Sequence, residues 1–388
     1  MKQLTIFFTA IFLSFNCNNT RQTIQVEPPF VFDYPKTITS WRMPLNFEKL
    51  VSPFLSITAV GDMMLGNFTS HYIQKFGVDY PFDSTRLVLS ETHLTLGNLE
   101  APFTKTGTQF EKTFTFKVPP AYCQSLVNAG FDVVTLANNH ILDYGIEGLK
   151  NTLATLDSFG ISHCGAGLDL AQAKKPAIIE RNGFRVAFLG YSLTFPEEFW
   201  ATRSHGGTCF PSEKILKSSI QQCDSLADIT VVTFHWGAEL MTSPKEYQKQ
   251  LAHKSIDWGA DLVIGHHPHV LQGLEIYKNR LIAYSLGNFT FSSYSRKTTE
   301  SAILKVFLTR DGLLYAKVIP VCVNNEKVNF QPRILFGAEA EAVITQLRKF
   351  SEPLNSHTII DSLGYVWNDW NSELQKQKSL VADSLVSQ

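Results

Sequence analysis

The sequence predicts an α/β fold in which β-sheets are covered by helices. Short runs rich in β-branched and apolar residues recur along the chain and are typical of buried strands. Between them lie segments whose apolar residues are three or four positions apart, such as Leu149, Leu153 and Leu156, which indicates amphipathic helices. Strands that alternate with helices predict sheets with helices on their faces. The strand-like runs are LSITAV, HLTLGNLE, DVVTLAN, RVAFLGY, DITVVTFHW, ADLVIG and RLIAYSLGN.

The composition indicates a globular protein with a substantial core. The chain has 388 residues, of which 44% are hydrophobic, so it is long enough for one large domain with appendages or for two domains. Its formal net charge of −1 provides no general cationic field. The composition therefore argues against disorder throughout, and against nucleic acid or an anionic membrane surface as the main partner.

The first residues are typical of an export signal. Lys2 precedes an apolar run, residues 4–15, that is too short for a membrane-spanning helix. Cys17 stands directly behind this run, where bacterial lipoproteins carry the cysteine that becomes the acylated N-terminus. We therefore expect residues 1–17 to be a signal peptide and Cys17 to be lipidated, although Asn16 is larger than the residue usual before such a cysteine. Simple secretion and a buried apolar helix are the alternatives.

The segment after the signal and the remaining cysteines give weaker information. Residues 18–50 mix polar residues and prolines without periodicity, which predicts a tether and a lead-in segment. If Cys17 is lipidated, five of the six cysteines remain, and none has CxxC spacing. Neither a full disulfide framework nor a thiolate zinc site is therefore indicated, and at least one thiol should stay free.

Polar residues stand at the ends of five predicted strands. Ligands bind beyond the carboxyl ends of the strands in α/β sheets, so these residues are expected to converge although they are far apart in the sequence. A mixture of carboxylate, amide and imidazole groups favours zinc, manganese or iron over calcium and over a thiolate-bound metal. The residues are Asp62, Glu100, Asn139, His140, His235, His267 and His269.

Most of these residues also have an ordinary structural explanation. Asp62 suits the N-cap of a following helix, and Glu100 could be a surface carboxylate. Asn138 and Asn139 suit a turn with left-handed backbone. His235, between two aromatic residues, could be a hydrogen-bonded core histidine, which is the commoner role of one histidine on an apolar strand.

The segment GHHPHV is harder to explain without a metal. Its H-x-H spacing is expected to point His267 and His269 to the same side of an extended chain. Pro268 restricts its own φ and the conformation of the residue before it. His266 is expected to point away from the site and to support the ligands or the fold.

An ordered set of motifs extends this interpretation to most of the chain. The motifs GD, NLE, NNH, HWG, HPH and YSLGNF follow one another, each at a predicted strand end, from about Ser52 to Phe291. In this order they resemble the CapA family, associated with poly-gamma-glutamate capsule synthesis, which is a branch of the calcineurin-like metallophosphatase superfamily. The resemblance implies an α+β sandwich over residues 51–325, with four αββα layers in which two mixed β-sheets are flanked by helices.

The resemblance also implies a site that holds two divalent ions, manganese, zinc or iron. Glu100 falls where an acidic residue bridges both ions, and His140 matches the catalytic residue that hydrogen-bonds the substrate or the leaving group. The implied metal ligands are Asp62, Glu100, Asn139, His235, His267 and His269. The positions implied to line the site are Asn98, Asn138, His266, Tyr284 and Asn288.

The resemblance assigns Asp62 and His269 to a first ion, Asn139, His235 and His267 to a second ion, and Glu100 to both. Two departures from the superfamily pattern affect the first ion. The superfamily has D-x-H in its first motif, whereas this chain has DMM, with Met64 at the position of the histidine. A thioether is a poor ligand for a hard ion. The bridging position is Glu100 in NLE rather than an aspartate, which lengthens the side chain by one methylene. We therefore expect the first ion to be weakly held, exchangeable or absent.

The resemblance implies an extracytoplasmic protein, anchored as a lipoprotein or secreted, that acts on an anionic polymer such as poly-gamma-glutamate. Its expected partners are this polymer or another envelope substrate, the membrane, and the membrane proteins of capsule synthesis and export. The expected activity is metal-dependent hydrolysis or transfer. The alternatives are a non-catalytic accessory factor that binds the polymer at a degenerate metal site, and a structural envelope protein without a metal.

The last part of the sequence predicts a hairpin followed by a helix. Two alternating runs, ESAILKVFLTR and LLYAKVIPV, are joined by the turn signal at residues 311–312. Residues 326–388 are expected to be a C-terminal helical extension and tail, because AEAEAVITQLRKF has apolar residues at helical spacing.

Overall fold

The computed structural model describes residues 53–355 and 358–368. The predicted signal peptide with Cys17, the tether at residues 18–50 and the part of the expected C-terminal tail after residue 368 lie outside the described residues. All five cysteines in the described ranges are free thiols. The odd number of cysteines had predicted that at least one would be free.

The first sheet is mixed. Within the described ranges its strands lie in the order β16-β17-β14-β13-β1-β2-β3-β4, and β15 pairs with β14. The four strands β1 to β4 are parallel, whereas β13 to β17 add antiparallel pairs. The bounds are β1 Leu55–Met63, β2 Leu94–Leu99, β3 Val133–Thr135, β4 Ser162–Cys164, β13 Glu300–Thr309, β14 Gly312–Cys322, β15 Arg333–Ile334, β16 Thr358–Ile360 and β17 Tyr365–Asn368.

The second sheet is also mixed. Its order is β11-β12-β10-β9-β7-β6, and a separate small sheet joins β5 to β8. The four strands β7, β9, β10 and β12 are parallel, and an antiparallel strand lies at each edge. The bounds are β5 Ala166–Gly167, β6 Ala177–Arg181, β7 Phe184–Ser192, β8 Gly207–Thr208, β9 Ile229–His235, β10 Leu262–His266, β11 Leu274–Tyr277 and β12 Arg280–Ala283.

Helices connect the parallel strands. Ser212 begins one of them by accepting a hydrogen bond from the Ile215 N–H at 3.4 Å, an N-cap that satisfies one free donor of the first turn. The bounds are α1 Asn67–Phe76, α2 Arg86–Leu89, α3 Cys123–Ala129, α4 Gly145–Phe159, α5 Leu170–Ala173, α6 Glu213–Leu226, α7 Glu246–Asp257, α8 Asn325–Val328 and α9 Gly337–Ser351.

The main core lies between the two sheets. Ile57 and Leu96 of the first sheet and Phe188 and Ile264 of the second belong to one buried apolar cluster. A second cluster joins the other face of the second sheet to α6 and α7. Because successive side chains of a strand point to opposite faces, each central strand contributes to two layers. This arrangement confirms the predicted α/β fold with two mixed sheets.

The end of the described chain is part of the same core. β13 and β14 form the predicted hairpin, with Thr309 opposite Gly312. The predicted helix is α9, whose Ile344 and Leu347 join the cluster between the sheets. The expectation for residues 326–388 lacked the strands β15 to β17, which pair with or next to β14. These strands are two to four residues long, too short to show a clear alternation.

Within the same ranges, we find no helix whose length and apolar character would suffice to cross a membrane.

Candidate metal centre

The candidate site lies where the parallel strands of both sheets end. In the first sheet β1 and β2 place Asp62 opposite Asn98, and Glu100 follows β2 directly. In the second sheet β9 and β10 place His235 opposite His266. The Nε2 atom of His235 lies 3.5 Å from Oε1 of Glu100, so the two sheets bring their ligand-type residues together.

A glycine allows another segment to close over the end of β1. The Asp62 N–H donates to the Gly287 carbonyl at 3.0 Å, and the Asp62 carbonyl accepts from the Phe289 N–H at 2.8 Å. A Cβ atom at Gly61 would lie 1.8 Å from the Gly287 oxygen, so a larger residue would force the two segments apart. Gly61 therefore lets the GNF motif bring Asn288 to the site.

Two buried carboxylates share one donor. Asp62 and Glu100 are both fully buried. The Asn98 Nδ2 donates to Oδ1 of Asp62 at 2.8 Å and to Oε2 of Glu100 at 3.0 Å. The Asn98 Oδ1 accepts from Nδ2 of Asn138 at 3.0 Å, which fixes the orientation of the amide. Asn98 and Asn138 thus hold the carboxylates side by side, where like charges would otherwise repel each other.

His269 lies against the first carboxylate. Its Nδ1 is 3.0 Å from Oδ2 of Asp62 and 2.8 Å from Oδ1 of Asn288. Its Nε2 lies 3.8 Å from Oε1 of Glu100. The ring centroid of His267 is 5.9 Å from that of His269. The two histidines of the H-x-H pair therefore lie on either side of one small space.

The amide of Asn139 and the imidazole of His235 form the other side of the site. The Nε2 of His235 lies 2.8 Å from Oδ1 of Asn139. The ring centroid of His235 is 4.8 Å from that of His267. The structure thus brings Asn139, which β3 positions, to the two histidines that the second sheet supplies.

The backbone of the HPH segment differs from the predicted extended chain. His267 has φ +94° and His269 has φ +59°, both in the left-handed region. This turn lets the His267 N–H donate to Oδ2 of Asp62 at 3.2 Å. The expected direction of His266 was also wrong, because its Nδ1 lies 3.3 Å from Oδ1 of Asp62. Its place beside a candidate ligand agrees with the expectation that it supports the ligands and lines the site. Alternation of side chains does not continue through a turn, so it could not place these residues.

Tyr284 does not line the site. Its hydroxyl donates to Oε2 of Glu275 at 2.7 Å, and its ring centroid lies 6.0 Å from that of Trp236 in the cluster under α6 and α7. Ala283 before it faces the core between the sheets. Because side chains alternate along a strand, Tyr284 faces the opposite layer. Tyr284 therefore packs in the layer under α6 and α7 rather than at the site.

The side chains fit a divalent cation. Asp62, Glu100 and His235 form one group, and Glu100, His267 and His269 form another; in each group the ligand atoms lie within 4.8 Å of one another. Oε1 of Glu100 and Nδ1 of His267 are buried and have no hydrogen-bond partner among the described residues. Such atoms are costly unless they bind something. Carboxylate and imidazole groups suit manganese, zinc or iron.

Burial and mutual charge shift the pKa values in this cluster. Burial lowers the pKa of His269, but Glu100 and Asp62 outweigh it and raise this pKa to about 9. Burial and the charge of His269 lower the pKa of His267 to about 3. Burial raises the pKa of Asp62, but His266 and His269 hold it well below its usual range. Burial and the charge of Asp62 hold the pKa of Glu100 well above its usual range. The cluster therefore keeps a proton at neutral pH, which a cation would displace.

His140 is held by two residues that the sequence analysis missed. Its Nδ1 lies 2.8 Å from Oδ2 of Asp143 and 3.2 Å from Nζ of Lys112. Burial lowers the pKa of His140, although Asp143 opposes this, so the imidazole is neutral at pH 7. Asp143 could have been found three residues after the histidine in NNHILD, where a turn brings side chains together. Lys112 carries no comparable signal.

Met64 is not among the candidate ligands. Its Sδ accepts a hydrogen bond from the Gly66 N–H at 3.2 Å, so the side chain turns toward its own segment. It is fully buried. Position 64 therefore supplies no additional imidazole beside Asp62, whereas D-x-H would supply one.

The chain is similar to two solved structures at low sequence identity. One is a 5'-nucleotidase precursor from Thermus thermophilus, with 15% identity and a TM-score of 0.43 over 78% of this chain and 59% of that chain. The other is the calcineurin-like phosphoesterase YfkN from Bacillus subtilis, with 15% identity and a TM-score of 0.40 over 77% of this chain and 97% of that chain. At these TM-scores neither structure bears on the activity of this chain.

Three relatives match the chain at higher sequence identity than these structures. The capsule biosynthesis protein CapA of Bacillus anthracis is 33% identical over 275 residues, which cover 69% of this chain and 67% of that protein. The PGA biosynthesis protein CapA of Bacillus subtilis strain 168 is 33% identical over 273 residues, which cover 70% of this chain and 72% of that protein. A probable polyglutamine synthesis accessory protein of Mycobacterium tuberculosis is 31% identical over 224 residues, which cover 54% of this chain and 59% of that protein.

The family described as "Bacterial capsule synthesis protein PGA_cap" matches residues 56–293, the range from β1 to the segment after Asn288. This range contains every candidate ligand described above. Together with the two relatives that are 33% identical to it over 275 and 273 aligned residues, this match shows that the chain belongs to the PGA_cap family of bacterial capsule synthesis proteins.

Proposed function

We propose that this protein is a metal-dependent hydrolase or transferase that acts on a γ-linked polyglutamate polymer during capsule synthesis. The observation that carries the proposal is the environment of Glu100. Its Oε1 is buried without a hydrogen-bond partner in the described part of the chain, and its carboxylate belongs to both candidate ligand groups. Family membership supports the choice of polymer.

Six side chains would hold the cations in this proposal. Glu100 would be shared, and Asn98 would keep it beside Asp62 by donating to both carboxylates. A divalent cation supplies a Lewis acid that polarises a carbonyl or phosphoryl oxygen and makes water a nucleophile near neutral pH. The ligands would be Asp62, Glu100, Asn139, His235, His267 and His269, with manganese, zinc or iron as the metal.

His140 would accept a proton and donate it to the leaving group. A carboxylate and an unprotonated ring nitrogen repel each other, so the 2.8 Å contact with Asp143 assigns the proton to Nδ1. Nε2 then carries the lone pair and can accept a proton and return it to the leaving amine. The Phe116 ring, whose centroid lies 4.5 Å from that of His140, packs against the imidazole.

The proposal includes a place in the cell envelope. A lipidated Cys17, or simple secretion, would put the domain outside the cytoplasm with the capsule polymer. Its partners would be the anionic polymer and the membrane proteins that synthesise and export it. Labelling with radioactive palmitate tests the anchor, because a Cys17→Ala variant should lose both the label and the membrane association.

Turnover by the metal-loaded full-length protein tests the activity. We expect manganese-dependent cleavage of γ-glutamyl oligomers, with phosphomonoesters and phosphodiesters as comparison substrates. The His140→Gln variant should retain its metal but lose about 10²- to 10⁴-fold in kcat, the usual contribution of a general acid or base. His71, which is exposed on α1, provides the matched control His71→Gln, which should behave like the wild type.

One observation favours a second candidate function, a non-catalytic accessory factor that binds polymer carboxylates at the metal. Met64 turns to Gly66 rather than to the site. Position 64 therefore adds no nitrogen donor beside Asp62, whereas D-x-H would add one. Absence of turnover on all three substrate classes, with the metal bound and the polymer retained in an equilibrium binding assay, would establish this function and exclude the hydrolase.

A further inference from the structure

We propose that Lys112 is a positioning residue that fixes His140 and Asn139 in one geometry, through the Asp143 carboxylate and the Asn139 carbonyl. The inference rests on the proposed function, since it concerns two residues assigned there to proton transfer and metal binding. It adds a residue outside every motif of the sequence analysis.

The ammonium group of Lys112 contacts three groups at the edge of the site. Its Nζ lies 2.6 Å from Oδ1 of Asp143, donates to the backbone carbonyl of Asn139, and lies 3.2 Å from Nδ1 of His140. Only 18% of the Lys112 side chain is exposed. One side chain thus joins the residue that orients the imidazole to the backbone of a candidate ligand.

Asp143 depends on this ammonium group for its charge balance. Its side chain is fully buried. Oδ2 accepts from the His140 ring and, at 2.6 Å, from the Phe116 N–H. Oδ1 has Lys112 as its only ionic partner among the described residues. Removal of one member of a buried ion pair leaves an uncompensated charge. Without Lys112, the buried carboxylate has no cationic partner on Oδ1 and is expected to turn, and Oδ2 then no longer accepts from His140.

The segment that carries Lys112 is held in place beside Asp143. The Phe110 N–H donates to the Asp143 carbonyl at 2.9 Å, and the Lys112 Nζ lies 5.2 Å from the centre of the Phe199 ring. A backbone contact two residues before Lys112 and a contact of its own ammonium group therefore limit the positions that its side chain can reach. An exposed lysine of the same segment, Lys105, has none of these contacts among the described residues and provides a matched control.

Nuclear magnetic resonance of the metal-free full-length protein, labelled with ¹⁵N-histidine, tests the inference without requiring activity. The resonances of His140 are assigned by their loss in His140→Gln. In the wild type and in Lys105→Met we expect the neutral tautomer with the proton on Nδ1. In Lys112→Met we expect this single tautomer to be replaced by a mixture. If Lys112→Met does not fold, Lys112→Gln replaces it, since it retains a donor for the Asn139 carbonyl but not the charge.

A second measurement, of metal affinity, tests the effect of Lys112 on Asn139 as a candidate ligand. The dissociation constant for Mn²⁺, measured by calorimetry, should rise about tenfold in Lys112→Met, as is usual when a group that supports a ligand is lost. An unchanged His140 tautomer in the substituted protein would overturn the inference. If the wild type binds no Mn²⁺, the proposed function fails, whereas the tautomer measurement still decides the role of Lys112.

Discussion

Binding of a cation at this site should release a proton from His269. The imidazole lies between two carboxylates, with its Nδ1 3.0 Å from Asp62 and its Nε2 3.8 Å from Glu100. Burial opposes protonation, but the two carboxylates outweigh it and raise the pKa of His269 to about 9. A histidine binds a metal only through an unprotonated nitrogen, so cation and proton compete for this residue.

The size of the effect follows from the raised pKa. At pH values below 9 the metal-free protein carries the proton, and each unit of pH costs about 1.4 kcal/mol of metal-binding free energy. The apparent Kd for Mn²⁺ should therefore fall about 100-fold between pH 6 and pH 8, with about one proton released per ion at pH 7. The direction of the change in Kd is fixed, because Mn²⁺ binding must strengthen as the pH rises toward the pKa of His269.

Titration calorimetry in buffers with different ionisation enthalpies measures both quantities. His269→Gln should remove most of the proton release, whereas the exposed His71→Gln should leave it unchanged. A Kd that does not change between pH 6 and pH 8, with no proton released at pH 7, would refute the assignment of His269 as a ligand.

Three substitutions test how the site is built. Asn98→Ala removes the donor shared by the two buried carboxylates and should lower the free energy of unfolding by about 2 kcal/mol, measured with urea, whereas Asn128→Ala on the surface should cost little. Gly61→Ala places a Cβ 1.8 Å from the Gly287 oxygen and should cost at least about 3 kcal/mol in the same assay; a smaller loss would mean that the segment moves easily. Met64→His restores the imidazole of D-x-H and should increase the Mn²⁺ that the protein retains through gel filtration. Unchanged retention would mean that this position cannot reach the ion.

The architecture could be predicted from the sequence because its strands are long or strongly apolar. β1 and β9 are completely buried along their length, so their apolar runs stand out in the sequence. β15 and β16 are two and three residues long and partly exposed, and they depend on pairing with distant strands. Such pairing comes from tertiary structure, which no local pattern contains.

The site could be predicted in part, because ligand-type residues stand directly at strand ends. The rule that strand ends converge placed Glu100 and His235 together, and the structure has their side chains 3.5 Å apart. A different rule, the alternation of side chains along an extended chain, failed for the direction of His266, because the following turn breaks this alternation. It also missed Lys112, because a long irregular segment delivers this residue to the site.

The metal content of the purified full-length protein tests the central claim most directly. After dialysis against Mn²⁺ and then against metal-free buffer, the wild type should retain between one and about two equivalents by mass spectrometry, as expected for a site with one or two ions. Glu100→Gln has the same shape without the charge that both ligand groups share, and it should retain less than about half of the wild-type amount. Equal metal content in the two proteins, or no metal in the wild type, would contradict a cation site centred on Glu100.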